Sequence, residues 1–165
     1  MGRNGRKEGE LMDLDEIVGQ AIGFIGQYNH TIDAKGRLII PARYRDMLGS
    51  EFVLTKGMDG CLFAMPAGEF SKLVRELMEL PLNSKDGRAL TRHFCAGAAK
   101  CELDKQGRIL VNAELRAAAG LEKEVVLVGV MNRVEIWDKE AWEKNEESID
   151  MDEIERHLEE RNISI

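Results

Sequence analysis

The chain has 165 residues, 44% hydrophobic and 5% aromatic, with 23 basic and 30 acidic side chains and a net charge of -7. That length suits one domain, or two small halves sharing a core. No apolar run nears the roughly 20 residues of a membrane-spanning helix, and three cysteines make no even-numbered disulfide framework, which favours a reducing cytosol.

In chain order, residues 1–23 carry three basic and five acidic side chains and lack the apolar stretch of a secretory signal; they read as an N-terminal extension. Asp33-Ala34-Lys35-Gly36 then has Asp at the first turn position and Gly where a positive φ is wanted, which predicts a tight hairpin. The Asp33 carboxylate can accept from backbone N–H groups ahead of it and hold the turn closed. Arg37 opens a short apolar strand with Leu38, Ile39 and Ile40. Pro41 suits a first helical position, and Gly49 a helix stop. A second hairpin is predicted from Val53–Lys56, a turn through Asp59-Gly60, and Cys61–Met65. Phe70, Leu73, Val74, Leu77 and Met78 then recur at helical spacing as a buried stripe. Pro81 closes this unit, and residues 81–94 are expected to form a linking helix.

The phrase then returns. Shifted by 71, Gly26 meets Gly97, Asp33 meets Asp104, Gly36-Arg37 meets Gly107-Arg108, Ala42 meets Ala113, Arg45 meets Arg116 and Gly49 meets Gly120. The second turn is Asp104-Lys105-Gln106-Gly107, the strand Arg108-Ile-Leu-Val, and the helix lies between Asn112 as N-cap and Gly120. With the shift raised to 72, Val53 meets Val125, Gly57 meets Gly129 and Phe70 meets Trp142. Two copies are therefore expected, at 24–80 and 95–146. One unit buries too little to be secure alone, so the pair should interleave around a shared core. Residues 147–165, rich in acids with Ile149, Met151, Ile154, Leu158 and Ile163 among them, predict an amphipathic helix.

The charge divides unevenly. Residues 1–23 have net charge -2, residues 24–142 +1, and residues 143–165 -6. Screening limits exposed charges to about 8–10 Å, so an acidic total does not exclude a local anion-binding face. Lys35, Arg37, Lys105 and Arg108 are the candidates for such a face, with Asp33, Gly36, Asp104 and Gly107 as the turn scaffold. The plain alternative for the four cations is a solvated hairpin tip. Arg43, Arg45 and Arg116 fall on helices and read as surface or salt-bridge residues. His93-x-Cys95 with Cys101 has no zinc spacing, and Cys95 and Cys101 read as small packing groups. No catalytic motif is present, so no enzyme, metal, cofactor or small-molecule substrate is expected.

The paired Asp-x-x-Gly-Arg turns, with "FIGQYNHTIDAKGRLIIPARYR", "LTKGMDGCLF", "AGAAKCELD" and "NRVEIWDKEAW", resemble the MraZ family across about residues 24–146. The resemblance implies an α+β fold, a tandem-duplicated AbrB/MraZ-like swapped-hairpin (double-split) β-barrel with flanking helices. It implies a cytoplasmic, nucleoid-associated transcriptional regulator that forms homo-oligomeric rings. Its partner would be double-stranded DNA, at repeated boxes in the promoter of the division and cell-wall gene cluster. It points to Lys35, Arg37, Lys105 and Arg108 as DNA contacts. An antitoxin-like or transition-state regulator of the same barrel type, or a non-DNA oligomeric scaffold, stands as the alternative. The resemblance does not reach the leader or the acidic tail.

Overall fold

The computed structural model describes residues 23–165, so the expected N-terminal extension lies, but for Gly23, outside the described residues. The described residues form eight strands and six helices in order: β1 (Gln27–Thr31), β2 (Arg37–Ile39), α1 (Ala42–Leu48), β3 (Glu51–Lys56), β4 (Leu62–Pro66), α2 (Ala67–Met78), α3 (Lys85–Ala96), β5 (Ala99–Glu102), β6 (Arg108–Leu110), α4 (Ala113–Ala118), β7 (Glu124–Val130), β8 (Arg133–Asp138), α5 (Lys139–Glu147) and α6 (Met151–Glu160). None of these helices is long and apolar enough to cross a membrane.

Local chemistry accounts for most boundaries. The Asn112 side chain accepts from Leu115 N at 2.9 Å and starts α4, and Ser84 accepts from Gly87 N at 3.0 Å to start α3. Gly49 at φ 83° and Gly120 at φ 60° supply the left-handed residues after α1 and α4. Pro41 caps α1 from the position before its first turn, one residue earlier than its fixed φ suggested. Asp59 (φ 61°) and Gly60 (φ 86°) both turn left-handed between β3 and β4.

The strands pair across the halves. β1 pairs with β7, β2 with β6, β3 with β5 and β4 with β8, all antiparallel; only the hairpins β3–β4 and β7–β8 stay within a half. The six-stranded sheet runs β1-β7-β8-β4-β3-β5, an order that reads the same when the halves are exchanged. The β2–β6 pair stands apart as a two-stranded ribbon. β1 and β5 are the two ends of the larger sheet and do not pair with each other, so the expected closed barrel is an open sheet plus a ribbon in its hydrogen bonding.

The pairings also correct the repeat register. His30 corresponds to Cys101 at a shift of 71; His30 pairs with Val125, and Cys101 pairs with Phe52. Phe52 is thus the counterpart of Val125, a shift of 73 rather than 72 over β3 and β7. The Phe63↔Glu135 pair restores 72 in β4 and β8. The cause is turn length: β3 and β4 are joined through residues 57–61, β7 and β8 only through Met131 and Asn132.

The main core lies between ribbon, sheet and the short helices α1 and α4. Leu38, Ile40, Tyr44, Leu54, Ile109, Val111, Leu115 and Leu127 are all buried there. The Tyr44 hydroxyl lies 2.8 Å from both the Ile25 and Gly26 carbonyls, and burial pushes its pKa up to about 12, so it stays a donor. A second cluster of Phe63, Leu77, Phe94 and Trp137, joined by Phe70 and Trp142, seats α2, α3 and α5 on the other face of the sheet. Met78, placed on the buried stripe by periodicity, is 77% exposed because α2 ends there.

Candidate nucleic-acid interface

Both Asp-x-x-Gly-Arg segments close in the same way. In the first, Asp33 Oδ1 accepts from the backbone N–H of Lys35 and of Arg37, each at 2.9 Å, while Arg37 Nε donates to Asp33 Oδ2 at 2.7 Å. Gly36 N also donates to the Asp33 carbonyl at 2.9 Å. In the second, Asp104 Oδ1 accepts from Gln106 N at 2.8 Å and Arg108 N at 2.9 Å, and Arg108 Nε reaches Asp104 Oδ2 at 2.9 Å. Each carboxylate thus holds the turn and fixes the arginine that follows it.

These bonds favour the ionised carboxylate. The backbone N–H of Arg37, then its side chain, lower the Asp33 pKa from 3.8 to about 2; the same groups of Arg108 lower that of Asp104. A folded-state value below the unfolded one means the closed turn gains from ionisation above about pH 4 and loses that gain as the pH falls through about 2. The carboxyl carbon of Asp33, followed by NMR, should titrate with a midpoint near 2. A midpoint near 4 would mean that the turn bonds do not persist in solution.

The two lysines are not equivalent. Lys35 is the third residue of its turn and Lys105 the second; the place of Lys35 is taken in the other copy by Gln106. Both are exposed.

The ribbon brings the two arginines together. Arg37 pairs with Leu110, Leu38 with Ile109 and Ile39 with Arg108. Alternation along three-residue strands sends Leu38 and Ile109 into the core, and places Arg37, Ile39, Arg108 and Leu110 on the outer face. The arginine side chains keep 39% and 30% of their surface, and Ile39 and Leu110 are 42% and 61% exposed. Periodicity within the runs Leu38-Ile39-Ile40 and Ile109-Leu110-Val111 is what could have marked these two outward aliphatics.

Each turn is also braced by the opposite copy. Ile40 N donates to Gly107 O at 2.9 Å, and Val111 N to Gly36 O at 2.8 Å. Arg45, anchored by Nε to Ile40 O at 2.7 Å, lies against Gly107; Arg116 lies against Gly36 with Nη1 3.4 Å from Ala34 O. A methyl group at Gly107 would run into the Arg45 guanidinium, and one at Gly36 into the Val111 carbonyl. Both glycines have positive φ, 90° and 75° in chain order, a conformation other residues rarely adopt, and at Gly36 the Val111 backbone carbonyl adds a clash that no side-chain movement relieves. Arg45 and Arg116 are therefore half-buried braces, not simply surface charges; their identity across the repeat was the available signal.

Two of the cysteines, Cys61 and Cys101, are not poised for chemistry. Burial pushes the thiols of Cys61 and Cys101 up to about 12 and about 11, far from thiolate at neutral pH. Cys95 is exposed rather than packed, because it falls on the outer face of α3. Among the described residues no cluster of three or more His, Cys, Asp or Glu is placed to hold a metal.

A family model described as "MraZ protein, putative antitoxin-like" matches residues 24–93 and again 94–163. A protein named transcriptional regulator MraZ from Thermoanaerobacter sp. (strain X514) is 55% identical over 141 residues, 84% of this chain and 99% of that protein. One of the same name from Lachnoclostridium phytofermentans is 54% identical over 141 residues, 86% and 99% of the two chains. Another, from Lactiplantibacillus plantarum, is 54% identical over 123 residues, 74% and 87%.

Proposed function

Since this chain belongs to the MraZ family, we propose that it regulates transcription by binding repeated boxes of double-stranded DNA with the exposed face of the β2–β6 ribbon. The observation that carries the reading is the pair of Asp-locked arginines on one narrow ribbon. A two-stranded ribbon fits a major groove about 12 Å wide. Asp33 and Asp104 engage Nε of Arg37 and Arg108, which would leave the Nη pair of each as the fork for guanine O6 and N7. Lys35 and Lys105 at the turn tips suit phosphate, as mobile point charges. Gly36 and Gly107 keep the tips slim, and Asp33 and Asp104 act as scaffold.

The promoter served would be that of the division and cell-wall gene cluster, which places the protein in the cytoplasm on the nucleoid. The two repeats, 24–80 and 95–146, would form a swapped-hairpin unit, the ribbon completing around the core what the open sheet leaves unpaired. One ribbon makes few contacts, so a homo-oligomer, in ring form, would set several ribbons on several boxes and multiply their effect.

A gel shift on the DNA upstream of the chain's own gene, at about 50 and 200 mM salt, tests this. Binding through cations should weaken steeply between the two. No shift at the lower salt, or a shift indifferent to salt, would overturn the reading.

A further inference from the structure

The two family matches end in corresponding helices, α3 in the first and α6 in the second. Their sequences align as Leu90-Thr-Arg-His-Phe94 on Ile154-Glu-Arg-His-Leu158, which sets Gly87 on Met151. In α3 these positions face inward. Gly87 and Phe94 are buried, and Phe94 stacks on Phe63 with ring centres 6.1 Å apart. Thr55 Oγ1 donates to Phe94 O at 2.6 Å and pins the end of the helix to β3. In α6 no residue is buried, and Met151 and Ile154 are 61% and 37% exposed.

The seat that α3 uses is missing in the second half. α2 runs 12 residues and packs Leu73 into the cluster that holds Phe94 of α3; α5 runs nine and has Asn145 at that place. α6 thus keeps the apolar stripe of its counterpart without the surface that covers it. The polar side of α6 is acidic, with Asp152, Glu153, Glu155, Glu159 and Glu160.

A complementary surface exists in the first half. Leu77, Met78, Leu80, Pro81 and Leu82 line a groove of about 440 Å³ along α2 and α3, and Arg88 and Arg92 stand at its border. Met78 and Leu82 are 77% and 87% exposed. An apolar groove edged by arginines matches an apolar stripe edged by carboxylates.

We propose that α6 of one copy of this chain docks its Met151–Ile154–Leu158 stripe in the α2–α3 groove of a second copy. The inference rests on the homo-oligomer proposed above and names the contact that builds it. Stripe and groove lie at different places on the chain, so the contact is head-to-tail, the kind that closes into a ring when the rotation permits.

The experiment uses the full chain and light scattering after size exclusion. Ile154→Asp with Leu158→Asp should reduce the particle to the 18.6 kDa chain, with the circular dichroism signal unchanged because no residue of α6 is fully buried in its own chain. Arg88→Glu with Arg92→Glu should do the same, and adding Glu155→Arg with Glu159→Arg should restore the larger particle. As a second measure, a Met78→Cys chain mixed with an Ile154→Cys chain, both carrying Cys95→Ser, should give an oxidised heterodimer joined between those cysteines. A monomeric wild type would overturn this contact and the homo-oligomer together. An oligomer that survives Ile154→Asp with Leu158→Asp, or that gives no cross-link, would overturn the contact alone.

Discussion

Replacing Arg37 with alanine should weaken binding to a guanine-containing promoter box by about 5- to 150-fold, the equivalent of the roughly 1–3 kcal/mol a bidentate arginine contributes at guanine. The fold should not suffer. The turn is held by the backbone N–H groups of Lys35 and Arg37 on Asp33 Oδ1, and these survive loss of the side chain. The Asp33 carboxylate, released from its 2.7 Å ion pair, would then face the DNA uncompensated and add repulsion to the lost contact. Arg108→Ala should behave alike, since its pairing with Asp104 repeats the geometry. Arg37→Lys separates the two components of the effect. It keeps the charge and so most of the salt dependence, but loses the planar fork, so discrimination between matched and mismatched boxes should fall while non-specific binding remains. The measurement is a fluorescence-anisotropy titration on matched and single-mismatch boxes, alongside a thermal melt. Unaltered binding by Arg37→Ala, with melt and particle size unchanged, would remove the ribbon from the interface.

Leu38→Ala should be the most damaging single change to stability, at about 3–5 kcal/mol, the range for a fully buried leucine whose cavity cannot collapse. Leu38 has no exposed surface and pairs with Ile109 at the centre of the ribbon, where the two copies meet. The two strands of the ribbon are three residues long, and each sends one side chain, Leu38 or Ile109, into the core from its centre. Set against a total stability of about 5–15 kcal/mol, that loss is large. Ile39→Ala supplies the contrast: one residue along and on the outer face, it should change stability by no more than about 0.5 kcal/mol. Urea midpoints with an unchanged slope would check both. A Leu38→Ala midpoint close to wild type would mean that the ribbon is not docked as described.

The two Asp-closed turns and the Asn112 cap were legible because each depends on residues a few positions apart. Asp33 to Arg37 and Asp104 to Arg108 are closed by bonds spanning two to four residues, and Asn112 caps α4 across three. Charge and turn chemistry marked Lys35, Arg37, Lys105 and Arg108 as a cationic group, and the DNA contact proposed for them awaits the titration above. The outward set of Ile39 and Leu110 was hidden inside unbroken apolar runs, whose alternation shows only once one face is known to be buried. The braces Arg45 and Arg116 were hidden too, since each touches a turn about 60 to 80 residues away in sequence. The expected register of the second hairpin missed by one residue because the shorter turn at Met131-Asn132 moves the pairing, and sequence identity cannot locate such a gap.

The amino acids alone determined the local vocabulary: where the chain bends, which carboxylate locks each bend, and that the phrase occurs twice. Tertiary structure alone decided that each strand of one half pairs with the other half, and that Arg37 and Arg108 thereby share one face. The reason is burial. A single half cannot cover Leu38, Ile40 and Tyr44, so the pairing that removes them from water draws on both halves at once, and no window of adjacent residues contains that choice.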